Sequence, residues 1–122
     1  HHPEFEPDPE VVKPLLQPLL KISNREFKEK FGRSAASWRG KKPLQRNAII
    51  ALGNYKEKAA VPDLTEVLLH DVRPVMRETA AWALGEIGGE EALAALKQAL
   101  EREQEADVVR ELEKAINKVK AE

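Results

Sequence analysis

Between Arg33 and Asn47 the chain sets five bases, Arg33, Arg39, Lys41, Lys42 and Arg46, among Ser34, Ser37, Trp38 and Asn47. Guanidinium and ammonium groups neutralise phosphates, small hydroxyls and amides donate to phosphate oxygens, and an indole plane stacks on an unpaired base. The surrounding composition sharpens the signal. Residues 21–46 hold nine bases against Glu26 and Glu29, a net of +7, although the whole chain carries a formal charge of only -1. No acid falls between residues 30 and 56. A plainer account is open: the charges solvate a loop while Trp38 packs onto the structure that follows. For Trp38 alone packing is the better reading, because tryptophan is usually largely buried. For Arg39, Lys41 and Lys42 together an anionic partner is the better one. Arg33, Ser34, Trp38, Arg39, Lys41, Lys42, Arg46 and Asn47 are therefore the candidate nucleic-acid-binding residues.

Other chemistry is thinly supplied. There is no cysteine, so no thiolate nucleophile, thiolate metal site or disulfide is possible. His1 and His2 are terminal and His70 stands apart, which argues against a metal site or a Ser-His-Asp triad. His70 falls at the expected end of a helix, where a histidine complements the helix dipole. Asp71 beside it is expected to cap the next helix, whose first turn contains Pro74. Gly85-Glu86-Ile87-Gly88-Gly89 lacks the Lys-Ser/Thr of a phosphate loop and reads as a helix-end turn. Glu101, Glu103, Glu105 and Asp107 read as a solvated acidic face. Catalysis, cofactor binding and metal binding within this chain are not expected. No apolar run approaches the ~20 residues that span a bilayer, and the cysteine-free composition suits the reducing cytosol.

The elements that must position the basic stretch follow from periodicity. Residues 1–22 read as a linker with Pro3, Pro7 and Pro9, then a short helix interrupted by Pro14 and Pro18. Ser23 with Glu26 forms a capping box for a helix through Phe27 and Phe31 that Gly32 ends. Residues 33–42 have no period and form the basic connector. Pro43 then suits the first turn of a helix whose unpaired N–H groups face that connector. Beyond it the chain repeats at a constant offset of 32. Leu44, Met76 and Val108 correspond, as do Ala48, Ala80 and Leu112; Ala51, Ala83 and Ala115; Leu52, Leu84 and Ile116; and Tyr55, Ile87 and Val119. Each set traces one helical face. Second helices match through Val61 with Leu93, Leu64 with Leu96, Val67 with Ala99 and Leu68 with Leu100. Gly53 and Gly85 align in mid-helix, where a glycine costs about 1 kcal/mol against alanine, so close backbone approach is expected there. Trp82, among alanines, is expected in the inter-repeat core. Such a gapless repeat predicts an all-α superhelix of stacked helix pairs. Residues 23–122 form the repeat domain, with repeats at 43–73 and 74–106. Residues 107–120 form a capping helix in which Lys114 replaces Ile50 and Trp82.

The run Gly32-Arg33-Ser34-Ala35-Ala36-Ser37-Trp38-Arg39-Gly40-Lys41-Lys42-Pro43-Leu44-Gln45-Arg46-Asn47, leading into Ala51-Leu52-Gly53-Asn54, resembles the C-terminal region of bacterial epoxyqueuosine reductases. Arg77-Glu78-Thr79-Ala80-Ala81-Trp82-Ala83-Leu84-Gly85 resembles a generic HEAT-like repeat. The likeness runs from about Ser23 to the end. It implies a HEAT-like solenoid that helps hold the tRNA anticodon stem-loop. It also implies a parent oxidoreductase with two 4Fe–4S clusters and cobalamin in an N-terminal catalytic domain. This chain would then be an excised accessory domain, cytoplasmic, binding neither cofactor and working in queuosine tRNA modification. The alternative is a HEAT-like scaffold that docks a partner or the parent's catalytic domain. An independent lyase-like enzyme is disfavoured by the missing nucleophile.

Overall fold

The computed structural model describes residues 41–122, with side chains from Gln45 onward. Among them are five α-helices: α1 (Lys41–Asn54), α2 (Val61–His70), α3 (Pro74–Ile87), α4 (Glu90–Arg102) and α5 (Ala106–Ala121). A 3₁₀ turn, Lys58–Ala60, leads into α2. The first helices α1, α3 and α5 pack side by side as one layer, and α2 and α4 form a second layer against them. The predicted proline-interrupted helix and the helix through Phe27 and Phe31 lie outside the described residues.

Local signals account for most boundaries. Pro74 opens α3, where its missing N–H loses nothing. Acids open and bases close α4 (Glu90 and Glu91; Arg102) and α5 (Asp107; Lys118 and Lys120), complementing the helix dipole. His70 is the last residue of α2 and is exposed. Gly88 and Gly89, at φ 72° and 94°, make the expected turn between α3 and α4. Lys56 sits 32 residues before Gly88 and shares its positive φ, at 53°.

Two local expectations are corrected. α1 begins at Lys41, so Lys41 and Lys42 belong to its first turn and not to the connector. Pro43 is still tolerated, because the first turn's N–H groups have no intrahelical partner. Asp71 does not cap α3: that position is Arg73, which makes no side-chain cap bond. The Asp71 side chain accepts the Arg73 backbone N–H at 2.9 Å, an aspartate turn that ends α2.

The repeat builds the core as its spacing implies. Met76, Val108, Ala48, Ala80, Leu112, Leu52 and Leu84 are all at most 1% exposed. Leu64, Leu68 and Leu96 line the facing side of the second helices. The aligned glycines lie at the inter-helix contacts of the first layer. A Cβ on Gly53 would sit 2.7 Å from Trp82 Cζ3 and 3.0 Å from Ala83 Cα. One on Gly85 would sit 2.8 Å from Ala115 Cβ and 3.0 Å from Ala115 Cα. On α5, Lys114 and Asn117 are exposed.

Candidate nucleic-acid interface

α1 carries the part of the candidate site that the structure describes. Gln45, Ala48, Ile49 and Leu52 are buried against the rest of the stack. At 3.6 residues per turn this leaves Arg46, Asn47 and Asn54 on the exposed side. Gln45 is held in place from the end of the same repeat: the Arg73 Nη2 donates to its Oε1 at 2.9 Å. Arg46 and Asn47 therefore project from a fixed helix, four to six residues beyond Lys41 and Lys42. Arg33, Ser34, Trp38 and Arg39 lie outside the described residues.

The charge of the two layers differs in sign. α1, α3 and α5 contain eight bases against Glu78, Glu86, Asp107, Glu111 and Glu113, a net of +3. α2 and α4 contain Lys97 and Arg102 against Asp63, Glu66, Glu90, Glu91 and Glu101, a net of -3. An anion approaching this stack is drawn to the first-helix layer. α2, α4 and α5 have an acid in their first turn. α1 has none and places Lys41 and Lys42 there, against its own dipole.

Two features went unread in the sequence. The first is a polar ladder on the loops that close each repeat. Arg73 bonds both Asp71 oxygens, Nε at 2.9 Å and Nη2 at 2.8 Å, while also reaching Gln45. Arg77 grips Glu103 with Nε at 2.8 Å and Nη2 at 3.0 Å, and its Nη1 donates to the Asp71 carbonyl at 2.8 Å. Glu103, expected on a solvated face, is thus 6% exposed at its side chain and ion-paired. Its neighbours Glu101, Glu105 and Asp107 are exposed as expected. Burial pushes the Asp71 carboxyl up, but the Arg73 hydrogen bonds and charge outweigh that and hold it below its ordinary value. The Arg77 hydrogen bonds lower Glu103, more than desolvation raises it.

The second feature is a cleft of about 300 Å³ on the first-helix layer, lined by Arg46, Ile50, Glu78, Thr79, Trp82 and Glu111. Trp82 packs at the repeat boundary against Gly53 but is only half-buried, because the cleft opens beside it. The aligned positions are Ile50 in α1 and Lys114 in α5, so Trp82 is the single aromatic of this row.

Comparison with known proteins bears on the fold and the family. The family model for HEAT repeats matches residues 35–117. An uncharacterized protein of Geobacillus stearothermophilus is 59% identical over 120 residues, covering 98% of this chain and 56% of its own length. Epoxyqueuosine reductase of Bacillus cereus is 60% identical over 116 residues, covering 95% of this chain and 30% of its own. This chain thus spans about half of the first relative and under a third of the second. The crystal structure of an epoxyqueuosine reductase with an epoxyqueuosine-modified tRNA-Tyr stem loop superposes with a TM-score of 0.82 at 58% identity. It covers 98% of this chain and 32% of that one. The resemblance carried by residues 32–54 and 77–85 is thereby upheld, and so is the all-helical repeat architecture. Two layers of paired helices on a 32-residue period, matched over residues 35–117, place the chain in the HEAT-repeat family.

Proposed function

We propose that this chain is the RNA-holding part of an epoxyqueuosine reductase-like oxidoreductase of queuosine tRNA modification. It grips the anticodon stem-loop through Arg33, Ser34, Trp38, Arg39, Lys41, Lys42, Arg46 and Asn47. The observation that carries this reading is the basic block ending on α1: bases without an acid between residues 30 and 56, on the layer whose net charge is positive. A first turn that holds two lysines against the helix dipole is compensated by phosphate, which favours helix N-termini. The relative solved with a tRNA stem loop supports the choice of RNA. The HEAT repeats then serve as a frame that fixes α1 through Gln45, Ile49 and Leu52.

The iron–sulfur clusters implied by the resemblance do not fit the residues of this chain. It has no cysteine, and among the described residues no three of His, Cys, Asp and Glu are grouped to hold a metal. Redox chemistry is assigned to the rest of the parent protein, a catalytic domain that would pack beside this one. No described helix is long and apolar enough to cross a membrane.

Titration of an anticodon stem-loop RNA at several salt concentrations tests the reading. Each phosphate contact adds about 0.7–0.9 to the slope of log affinity against log salt. Replacing Lys41 and Lys42 with alanine should flatten that slope by about 1.5 and weaken binding. An unchanged slope, or tight salt-insensitive association with the catalytic part and none with RNA, would replace it with the scaffold reading.

A further inference from the structure

The cleft beside Trp82 joins the candidate RNA-binding face but has a different chemistry. Glu78 and Trp82 stand four residues apart on α3, Arg46 and Ile50 four apart on α1, and Glu111 reaches in from α5. Such spacing puts each pair on one face of its helix. One edge of the indole packs against Gly53 at the repeat boundary, and the ring forms one wall of the cleft. The Thr79 hydroxyl donates to the Val75 carbonyl at 2.7 Å, which leaves its oxygen as an acceptor toward the cleft. Glu111 lies 3.9 Å from the Lys114 ammonium, and the half-buried Glu78 carboxylate takes part in no ion pair of the described structure. The cleft thus combines an aromatic wall and acceptors inside with one cation, Arg46, at its rim.

We propose that this cleft holds one unpaired guanine of an RNA loop, stacked on Trp82, read by Glu78, with the adjoining phosphate on Arg46. The inference rests on the RNA-binding reading above and adds base selectivity to it. Carboxylates inside the cleft repel phosphate, so the backbone stays at the rim and the base enters. A carboxylate only accepts hydrogen bonds. Guanine alone offers two adjacent donors, N1–H and N2–H, that match both its oxygens. Uracil places carbonyls on each side of its single N–H, and adenine and cytosine set a lone-pair nitrogen beside their amine. Helical-repeat proteins elsewhere read single bases with two or three side chains of this sort. A volume of about 300 Å³ admits a purine with some water. An arginine or lysine of a protein partner would also suit Trp82 and the two glutamates. Arg46 at the same rim and the net positive first-helix layer count against it.

The test uses the whole 122-residue chain and NMR of its indole N–H groups, with the Trp82 signal identified by its loss in Trp82→Phe. GMP, AMP, CMP and UMP are titrated separately, then N-acetyl-arginine amide. GMP is expected to move the Trp82 signal and bind about tenfold more tightly than UMP, as one bidentate base contact allows. Glu78→Gln should bring that ratio to about 1 while the fold, read from the methyl signals, stays intact. Equal binding of all four nucleotides, or a Trp82 response to the arginine amide but not to GMP, overturns the proposal. Stem-loop RNA titrated in the same samples separates the two failures. If its binding depends on Lys41 and Lys42 yet Trp82 ignores GMP, the basic interface stands and the guanine site falls.

Discussion

Arg77 spends all its donor nitrogens, on both Glu103 oxygens within its own repeat and on the Asp71 carbonyl of the preceding one. Truncating it to alanine leaves a 6% exposed carboxylate with only the Gln104 and Glu105 backbone N–H groups as donors. Breaking a largely buried pair in this way should cost about 2–3 kcal/mol. Removing both partners, Arg77→Ala with Glu103→Ala, should cost less than the sum of the single changes. Urea midpoints of the four proteins give the coupling. The same pair sets an acid limit. Glu103 and Asp71 are depressed in the folded state, so their contribution is complete above the ordinary carboxylate range. It is lost as pH falls below about 4.3 toward the folded values. Arg77→Ala should make the loss of stability between pH 5 and pH 3 shallower. This pairing was hidden because its members are 26 residues apart and local pattern assigns a glutamate in an acidic run to solvent. Only the repeat register hints at it. Asp71 and Glu103 are 32 apart, and so are Gln45 and Arg77: Arg77 bonds Glu103 directly, where Arg73 bridges the equivalent Gln45 and Asp71.

At the scale of helices, the aligned glycines show how far periodicity can be read. Their mid-helix placement signalled close approach, and the structure supplies the neighbour in each case, Trp82 with Ala83 for Gly53 and Ala115 for Gly85. Alanine at either position gains about 1 kcal/mol of helix propensity and meets an overpacking cost of about 1–3 kcal/mol. At Gly85 the obstacles are the Cβ and Cα of Ala115, which move only with α5. At Gly53 the nearest atom belongs to a half-buried ring that opens onto a cleft. Gly85→Ala should therefore lower the urea midpoint more than Gly53→Ala. What the repeat did not disclose was the equivalence of Lys56 and Gly88, since no side-chain pattern reports φ. Both follow a first helix at positive φ, and a lysine there bears a strain of about 1 kcal/mol that glycine avoids. Lys56→Gly should offset that strain and raise stability by about 0.5–1 kcal/mol, read from the same denaturation. A fall in stability would mean that the strain is relieved by contacts of the Lys56 side chain.

For the molecule as a whole the question is whether RNA responds to net charge or to one face. The chain is nearly neutral overall, so any attraction must come from uneven placement of charge: the +7 of residues 21–46 and the +3 and -3 of the two helix layers. A helix with its side chains is about 10 Å across, which puts the outer faces of the two layers about 20 Å apart. The Debye length at physiological ionic strength is about 8 Å, so charges on the far layer are largely screened from an RNA on the near one. Glu66 and Glu91 are exposed on α2 and α4. Converting both to lysine raises the net charge by 4 but should change stem-loop affinity by less than about twofold at 0.15 M salt. Converting Lys41 and Lys42 to glutamate shifts the charge by the same 4 in the other direction. It should weaken binding by at least about tenfold, because each lost phosphate contact acts at close range. Lowering the salt to 0.01 M lengthens the Debye length to about 30 Å, and only then should the far-layer change become visible. Affinities that move equally for both pairs at 0.15 M would show RNA held by overall charge, and the assignment of a local interface on α1 would fail.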